Sequence, residues 1–264
     1  MALAQHVHTD VRFQQQVDNA REYLLPFLDA VHPVGPGMQI LEIGSGEGGV
    51  LRACTERGAF CVGVDLSPTR IEEARQYMAP EVEKGNALFL VQNVYDPAFQ
   101  AQWSGAFDWI LLKDTIEHIP DQEKMIPWLK QFLRPGGRVF FGFPPWRMPF
   151  GGHQQICRSK VLGMLPWFHL LPRPAYAALL RTFGESPQIV QDLLEIKDTG
   201  ISINRFENII RKNGFVIESH TFYFINPIYR YKFGIRPRVQ AKWLSGLPFI
   251  RDFFTTAVWY VIRM

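Results

Sequence analysis

The chain has 264 residues, 47% of them hydrophobic, and a formal net charge of +3. That length can bury a sizeable core in one domain, and so mild a charge gives no argument for nucleic acid. The three cysteines, Cys54, Cys61 and Cys157, have no paired or metal-type spacing, and no apolar run approaches a membrane span, so reduced thiols in a cytoplasmic protein are expected.

In chain order, Val11, Val17, Ala20, Leu24, Leu28 and Val31 recur at helical spacing, which predicts a helix over Asp10 to Val31 with a kink near Pro26. It reads either as a helix packed on a sheet or as a lid with Phe13 or Tyr23 facing a ligand. The linker from His32 to Gly37 feeds a short apolar run, Gln39 to Ile43. A glycine-rich turn, Gly44-Ser45-Gly46-Glu47-Gly48-Gly49, and an apolar-spaced helix follow. This is strand, tight loop and helix, the opening unit of a nucleotide-binding α/β sheet. A second strand, Phe60 to Val64, ends at Asp65, about 20 residues past the loop, where a doubly wound fold puts a carboxylate on a ribose diol.

The G-x-G-x-x-G pattern through Gly44, Gly46 and Gly49 fits a dinucleotide as well as S-adenosylmethionine. Charge separates the two. A dinucleotide lays a pyrophosphate dianion over the loop, where Glu42 and Glu47 would repel it. S-adenosylmethionine brings a sulfonium and an ammonium, which acidic residues attract.

Ser67-Pro68 reads as N-cap and first residue of the next helix. Ala87 to Val91 is a third strand, with Gln92-Asn93-Val94 leaving its carboxyl end, and Trp109 to Leu112 is a fourth. Asp114 with Glu117 three residues on has the pattern of a capping box. A helix from Pro120-Asp121, bent at Pro127, stops at Leu133 to Gly137, and Arg138 to Phe143 is a fifth strand. A proline- and aromatic-rich segment without an obvious strand then precedes a helix through Ile203, Phe206, Ile209 and Ile210, closed by Asn213-Gly214. A sixth strand runs to about Ile225 and a last one from Phe253 to Ile262.

The expected fold is therefore α/β, a Rossmann-like, mostly parallel sheet of seven strands with helices on both faces and aromatic-rich cap segments inserted in it. As a single domain it divides into a helical lid at about 1–37 and a core at about 38–143 and 200–225. Cap insertions fall at about 144–199 and 226–252, and the last strand at about 253–262.

Five stretches, in order, carry a resemblance: Leu41 to Gly48, Val64-Asp65-Leu66-Ser67, Phe107-Asp108-Trp109-Ile110, Ile116-Glu117-His118-Ile119, and Leu133 to Gly137. With them the chain resembles class I S-adenosylmethionine-dependent methyltransferases, particularly the ubiquinone and menaquinone biosynthesis branch. The resemblance implies that S-adenosyl-L-methionine is the cofactor. It implies that Gly44 and Gly46 pack under its methionine part and that Glu42 orients the loop and favours the cation. Asp65 would take both ribose hydroxyls and Leu66 contact adenine. Asn93, beside Val94, stands where the family usually has Asp and would accept from the adenine amine, with a turn-forming Asn after a strand as the competing reading. Lys113 would contact the cofactor through its backbone, with its side chain toward solvent.

Methyl transfer is an in-line displacement that needs alignment first, and a base only where the acceptor must lose a proton. His153 follows two glycines in a loop expected over the carboxyl edge of the sheet, and is the first candidate base. His118 is the second, with a structural or cofactor-side role competing, and Gln154 is a candidate to orient an acceptor hydroxyl. No Asp, Glu or His cluster shows ligand spacing, so no metal is expected, and Asp114 and Glu117 read as a helix cap. Phe143-Pro144-Pro145-Trp146 lacks the polar residue that amino methyltransferases of nucleic acid bases carry before Pro-Pro-aromatic, so it reads as a rigid turn.

From Ser219 to Ile250 the chain holds Arg230, Lys232, Arg236, Arg238 and Lys242 among aromatic residues and no acid. It reads as a solvated face, as a holder for an anionic substrate, or as a peripheral contact with an anionic membrane surface. The expected function is methyl transfer to a small-molecule or lipid-like acceptor, at oxygen or carbon rather than nitrogen. The alternatives are a non-catalytic binding protein of the same fold, an RNA methyltransferase and a dinucleotide oxidoreductase.

Overall fold

The computed structural model describes residues 9–264; the first eight residues of the expected lid lie outside the described residues. An eight-stranded sheet forms the centre, in the order β3-β2-β1-β4-β5-β8-β6-β7. Its strands are β1 (Gln39–Ile43), β2 (Phe60–Asp65), β3 (Ala87–Val91), β4 (Phe107–Lys113), β5 (Leu133–Phe143), β6 (Val216–Ile225), β7 (Arg238–Val239) and β8 (Ala257–Arg263). The first five pair in parallel, whereas β8 runs antiparallel to both β5 and β6. The expected mostly parallel sheet and antiparallel last strand are present. The count is eight rather than seven because Arg238 and Val239 add a two-residue edge strand along Tyr223 to Ile225. So short a strand carries no alternation signal to read in a sequence.

Side-chain alternation splits the apolar core between the two faces. In β1, Ile40 belongs with Trp109, Leu111 and Phe140 under Leu24, Leu25, Leu28 and Leu51. Its neighbour Leu41 belongs with Ile110, Leu112 and Phe141, packed under Phe206, Ile209 and Ile210. Both faces being covered explains why these strands read as continuous apolar runs.

The first face is covered by α1 (Thr9–Asn19), a π-helical turn (Ala20–Leu24) and α2 (Leu25–Asp29), followed in sequence by α3 (Gly49–Thr55). Pro26 lies in the first turn of α2, so the irregularity expected near it appears just before it, in the π turn. Next come α4 (Pro68–Tyr77), α5 (Ala79–Glu83), α6 (Pro97–Trp103) and α7 (Gln122–Trp128). Ser67 caps α4 as its sequence predicts, accepting from the Arg70 N–H at 3.4 Å with Pro68 in the first turn.

The proline-rich segment after β5 forms α8 (Lys160–Met164), α9 (Arg173–Thr182) and α10 (Pro187–Thr199). These close on a small core of their own, including Leu162, Tyr176, Leu180 and Leu193. α11 (Ile203–Lys212) returns to the sheet and ends at Asn213-Gly214, with Gly214 at φ +71°. The segment after β6 holds α12 (Tyr229–Phe233), α13 (Lys242–Ser245) and α14 (Ile250–Phe253) around β7. A buried carboxylate ties the two segments together: Asp252 accepts from the Ile203 N–H at 3.2 Å and pairs with Arg147 at 3.3 Å.

Candidate functional site

A cavity of about 580 Å³ opens beyond the carboxyl ends of β1 to β4, where an open α/β sheet places its ligand. Its walls are Ile43 and Gly44 from β1 and its loop, and Val64, Asp65, Leu66 and Arg70 from β2 and the start of α4. Gln92 to Tyr95 follow β3, and Asp114, Thr115, His118, Ile119, Pro120 and Met125 follow β4. Of the expected cofactor residues, Gly44, Asp65, Leu66, Asn93 and Val94 are on these walls, with His118 beside them. Glu42, Gly46, Lys113 and His153 are not among the lining residues.

Gly44 has φ +71°, and a Cβ there would meet the Thr115 side chain, so glycine is required both for the turn and for the close approach of the β4 loop. Gly46 donates its N–H to Asp65 Oδ2 at 3.1 Å, and Ser67 donates to Oδ1 at 2.9 Å. The carboxylate is thus fixed at the cavity wall with lone pairs to spare. Leu66 is 71% exposed, an apolar surface presented to the opening. Asn93 Oδ1 accepts from the Tyr95 N–H at 3.0 Å, the turn-forming bond, while its residue also lines the cavity.

Glu42 lies buried beneath the loop, and one of its carboxylate oxygens has no hydrogen-bond partner among the described residues. Burial pushes its carboxyl from the ordinary 4.5 up to about 8; Lys113 pulls it down, and Asp65 and Asp114 push it further up. Glu47 does not face a ligand as a free charge. The Arg12 guanidinium on α1 forks onto it, with Nε at 3.1 Å from Oε2, so this loop acid anchors the helix.

Lys113 departs from its expected orientation. Its side chain is buried, and Nζ donates to Gln16 Oε1 on α1 at 2.9 Å and to Asp114 Oδ2 at 2.7 Å. Those two acceptors satisfy the donors of an ammonium that burial has withdrawn from water. Burial opposes ionisation of Asp114, but Lys113, Lys232 and His153 hold its carboxyl below the usual range. The lid residues also face elsewhere: Phe13 stacks on Tyr77 at 4.9 Å, and Tyr23 meets Tyr231 edge-on at 6.5 Å.

Asp114 and Glu117 do not form the expected cap. Asp114 is left-handed at φ +53°, and Thr115 precedes a 3-10 turn, Ile116–His118, that has no side-chain cap. Glu117 is 4% exposed and both its carboxylate oxygens lack a hydrogen-bond partner among the described residues. Burial, and next the Asp114 charge, push its carboxyl well above the usual range. Thr199 clamps the turn from α10, donating Oγ1 to the Glu117 carbonyl at 2.6 Å.

His153 is also left-handed, at φ +53°, a conformation that costs a non-glycine residue energy and recurs at functional sites. Gly151 and Gly152 hold it there: a Cβ on Gly151 would strike the Trp146 and Pro145 carbonyls, and one on Gly152 the His169 ring. Its imidazole meets that of His118 edge-on, centroids 4.9 Å apart. Burial, then the His118 and His169 rings, lower His153 to about 4, so the ring is neutral. Gln154 does not face an acceptor. It is buried and donates to the Pro149 and Leu165 carbonyls at 2.9 and 3.2 Å, closing the loop.

The two histidines bring an acid with them. Ligand atoms of Glu117, His118 and His153 all lie within 4.8 Å of one another. The expectation that no cluster has ligand spacing is corrected by this meeting of two distant loops, which linear spacing cannot show. Arg12, Gln16 and Thr115 were likewise missed, since nothing in their local sequence marks long-range partners.

A family model described as "Methyltransferase domain" matches residues 13–184, more than half of the chain. The chain belongs to the methyltransferase-domain family. Among curated relatives, the methyltransferase domain is 31% identical over 147 residues to a ubiquinone biosynthesis O-methyltransferase of Coxiella burnetii, covering 55% of this chain and 58% of the relative. It is 31% identical over 105 residues to the protein of that name from Aromatoleum aromaticum, covering 40% and 43%. The chain thus spans about half the length of the curated relatives it matches. Among solved structures, a geranyl diphosphate C-methyltransferase of Streptomyces coelicolor superposes with a TM-score of 0.56 at 15% identity, over 89% of this chain and 76% of that one. That likeness supports the fold, and the resemblance carried by the five sequence stretches is borne out by the family match.

Proposed function

We propose that this chain transfers the methyl group of S-adenosyl-L-methionine to an oxygen or carbon of a small or lipid-like acceptor. The observation that carries the proposal is the single cavity wall that unites Gly44, Asp65, Leu66 and Asn93 from separate motif stretches. Asp65 suits a ribose diol, Asn93 and Leu66 suit adenine, and the loop of Gly44 and Gly46 suits the amino-acid end. Glu42 below the loop favours a cation over a pyrophosphate. Arg12, the guanidinium that α1 brings to this loop, is already engaged by Glu47. The names of the relatives, O-methyltransferases of ubiquinone and tocopherol biosynthesis, favour an oxygen acceptor on an apolar molecule.

The residues assigned to this role are Glu42, Gly44, Gly46, Asp65, Leu66, Asn93, Val94 and Lys113 for the cofactor, with His153 and His118 on the acceptor side. The whole chain acts as one catalytic unit in this reading, the inserted helices bordering the acceptor. A reducing, cytoplasmic setting is supported by the free thiols of Cys54, Cys61 and Cys157.

Calorimetric titration with S-adenosylhomocysteine, with NAD in parallel, tests the cofactor. Binding of the first alone is expected and opens an acceptor screen; binding of NAD alone overturns the reading, and binding of neither favours a non-catalytic role.

A second feature favours a lipid-like acceptor met at a surface. Trp243 is 73% exposed, and Phe233, Val239 and Phe249 are exposed on the same inserted segment. The charges between them are Arg236, Arg238 and Lys242, with no acid from Ser219 to Ile250. Exposed aromatic rings among basic side chains suit the headgroup region of an anionic bilayer. No helix among the described residues is long and apolar enough to cross a membrane, so the contact is peripheral in this reading.

A further inference from the structure

We propose that α12 is a movable strap that closes the acceptor side of the methyl-transfer site and carries Lys232 to it. The helix spans only Tyr229–Phe233 and ends at Gly234, left-handed at φ +69°. Ile228, just before it, is buried in the fold, whereas Phe233 to Arg236 are exposed. The segment is anchored at one end and loose at the other.

The two faces of the strap have different neighbours. Arg230 and Tyr231 turn to the first helices. Tyr231 Oη donates to the Asp18 carbonyl at 3.1 Å, and Gln15 Nε2 donates to the Tyr231 carbonyl at 3.3 Å. Arg230 donates to Tyr23 Oη and pairs with Glu22, each at 2.8 Å. Tyr229 and Lys232, three residues apart, share another face and are half-buried. Both lie within reach of the Asp114 charge. Burial draws the Lys232 ammonium below its usual 10.5, and Asp114 opposes that loss. Asp114 lines the cavity and is held by Lys113, whose other acceptor is Gln16, the neighbour of Gln15 on α1. One turn of α1 therefore grips both the strap and the end of β4. His153 is within reach of the same two charges, Asp114 and Lys232. The inner face of the strap, Asp114 and His153 thus surround one space beside the cavity.

That enclosure has to open. No residue of α12 is buried. Apart from the edge contact of Tyr23 with Tyr231, the ties named above are polar, and Arg230 and Glu22 are each nearly half exposed. Water replaces such ties at small cost. An element held without an apolar core opens far more readily than the whole fold. An acceptor entering between α1 and α12 uses that opening, and on reclosure it meets the Lys232 ammonium. This last role rests on the methyl-transfer reading. It suits an acceptor oxygen, which accepts from the ammonium, over a protonated amine, which the ammonium repels.

The test follows the full chain by hydrogen exchange and by lysine acetylation, both read by peptide mass spectrometry. The N–H groups of Tyr231 and Lys232 bond to the Ile228 carbonyl and that of Gly234 to the Arg230 carbonyl. They should exchange roughly 100-fold or more faster than those of β5. Arg230→Ala with Tyr231→Phe removes ties to the first helices, and should raise both this exchange and Lys232 acetylation roughly tenfold with β5 unchanged. Exchange as slow as in β5, or no response to the double variant, overturns the strap. Lys232 is tested by comparing S-adenosylmethionine, which carries the sulfonium, with S-adenosylhomocysteine, which does not. Removing a nearby ammonium favours the sulfonium, so Lys232→Met should raise the first affinity relative to the second roughly two- to tenfold. Lys232→Arg should leave the ratio as it is. An unchanged ratio in Lys232→Met overturns the placement of Lys232 at the acceptor side. If neither compound binds, the methyl-transfer reading falls and the role of Lys232 with it, while the exchange result decides the strap by itself.

Discussion

Arg12 on the first helix is ion-paired with Glu47 in the glycine-rich loop, joining the start of the described chain to the turn beneath the cavity. The pair is largely withdrawn from water, so each partner depends on the other. Arg12→Ala leaves a buried carboxylate without its counter-charge and should cost about 1–3 kcal/mol of stability. Glu47→Gln should cost less, because the amide needs no counter-charge. A double-mutant cycle read by urea unfolding measures the coupling, and strict additivity would show that the pair contributes nothing.

Glu42 should make cofactor binding depend on proton exchange. With its carboxyl at about 8, the unliganded protein holds this proton at neutral pH. A bound sulfonium or ammonium lowers that value, so binding near pH 7 should release a fraction of a proton. Calorimetry in two buffers of different ionisation enthalpy reads this directly, and Glu42→Gln should abolish the difference. The sign for folding follows from the same shift. The folded value is raised, so the contribution to stability is complete below about 4.5 and is lost as pH rises toward about 8. Thermal melts of wild type should therefore fall relative to Glu42→Gln across that window.

Asp65 accepts two backbone N–H bonds and still faces the cavity. Asp65→Ala removes the proposed ribose contact and loosens Gly46 together. Hydrogen bonds to a charged group are worth about 1.5–3 kcal/mol each, so S-adenosylhomocysteine affinity should drop by roughly 10- to 100-fold or more. Unchanged affinity would move the nucleoside elsewhere.

The basic aromatic segment should bind vesicles containing phosphatidylglycerol and not pure phosphatidylcholine vesicles, with binding reduced by salt. Trp243→Ala combined with Arg236→Ala, Arg238→Ala and Lys242→Ala should abolish co-sedimentation. Equal sedimentation with both lipids, or no change in the variant, would return this face to solvent.

Much of the fold could be read in advance because its signals are local. β1, β2 and β3 fall where short apolar runs meet turn residues, and the Ser67 and Asn213-Gly214 boundaries follow from their own hydrogen-bonding chemistry. Most of the cavity wall was readable for the same reason, since each loop leaves a strand at a marked position. What escaped was the chemistry made by contact between loops. Asp114 and Glu117 carry the spacing of a helix cap, and only the left-handed Asp114 and the orphaned Glu117 carboxylate show that they are not one. Lys113 follows the same rule: a lysine at a strand end reads as solvated until Gln16 and Asp114 are seen around it. The meeting of His118 and His153 depends on how the helical insert folds back over the β4 loop, which no short window contains.

The position of β8 bears on how the molecule is made. β8 lies between β5 and β6, although β6 precedes it in sequence. Synthesis proceeds from the amino end, so β6, with β7 along its outer edge, cannot join β1 to β5 until β8 is available. The half carrying the glycine loop, Asp65 and Glu117 can pair β1 to β5 early, while the segment with Trp243 waits with an open strand edge. A nascent chain halted just before β8 should therefore hold a nearly complete cofactor half beside an unfolded, aggregation-prone remainder.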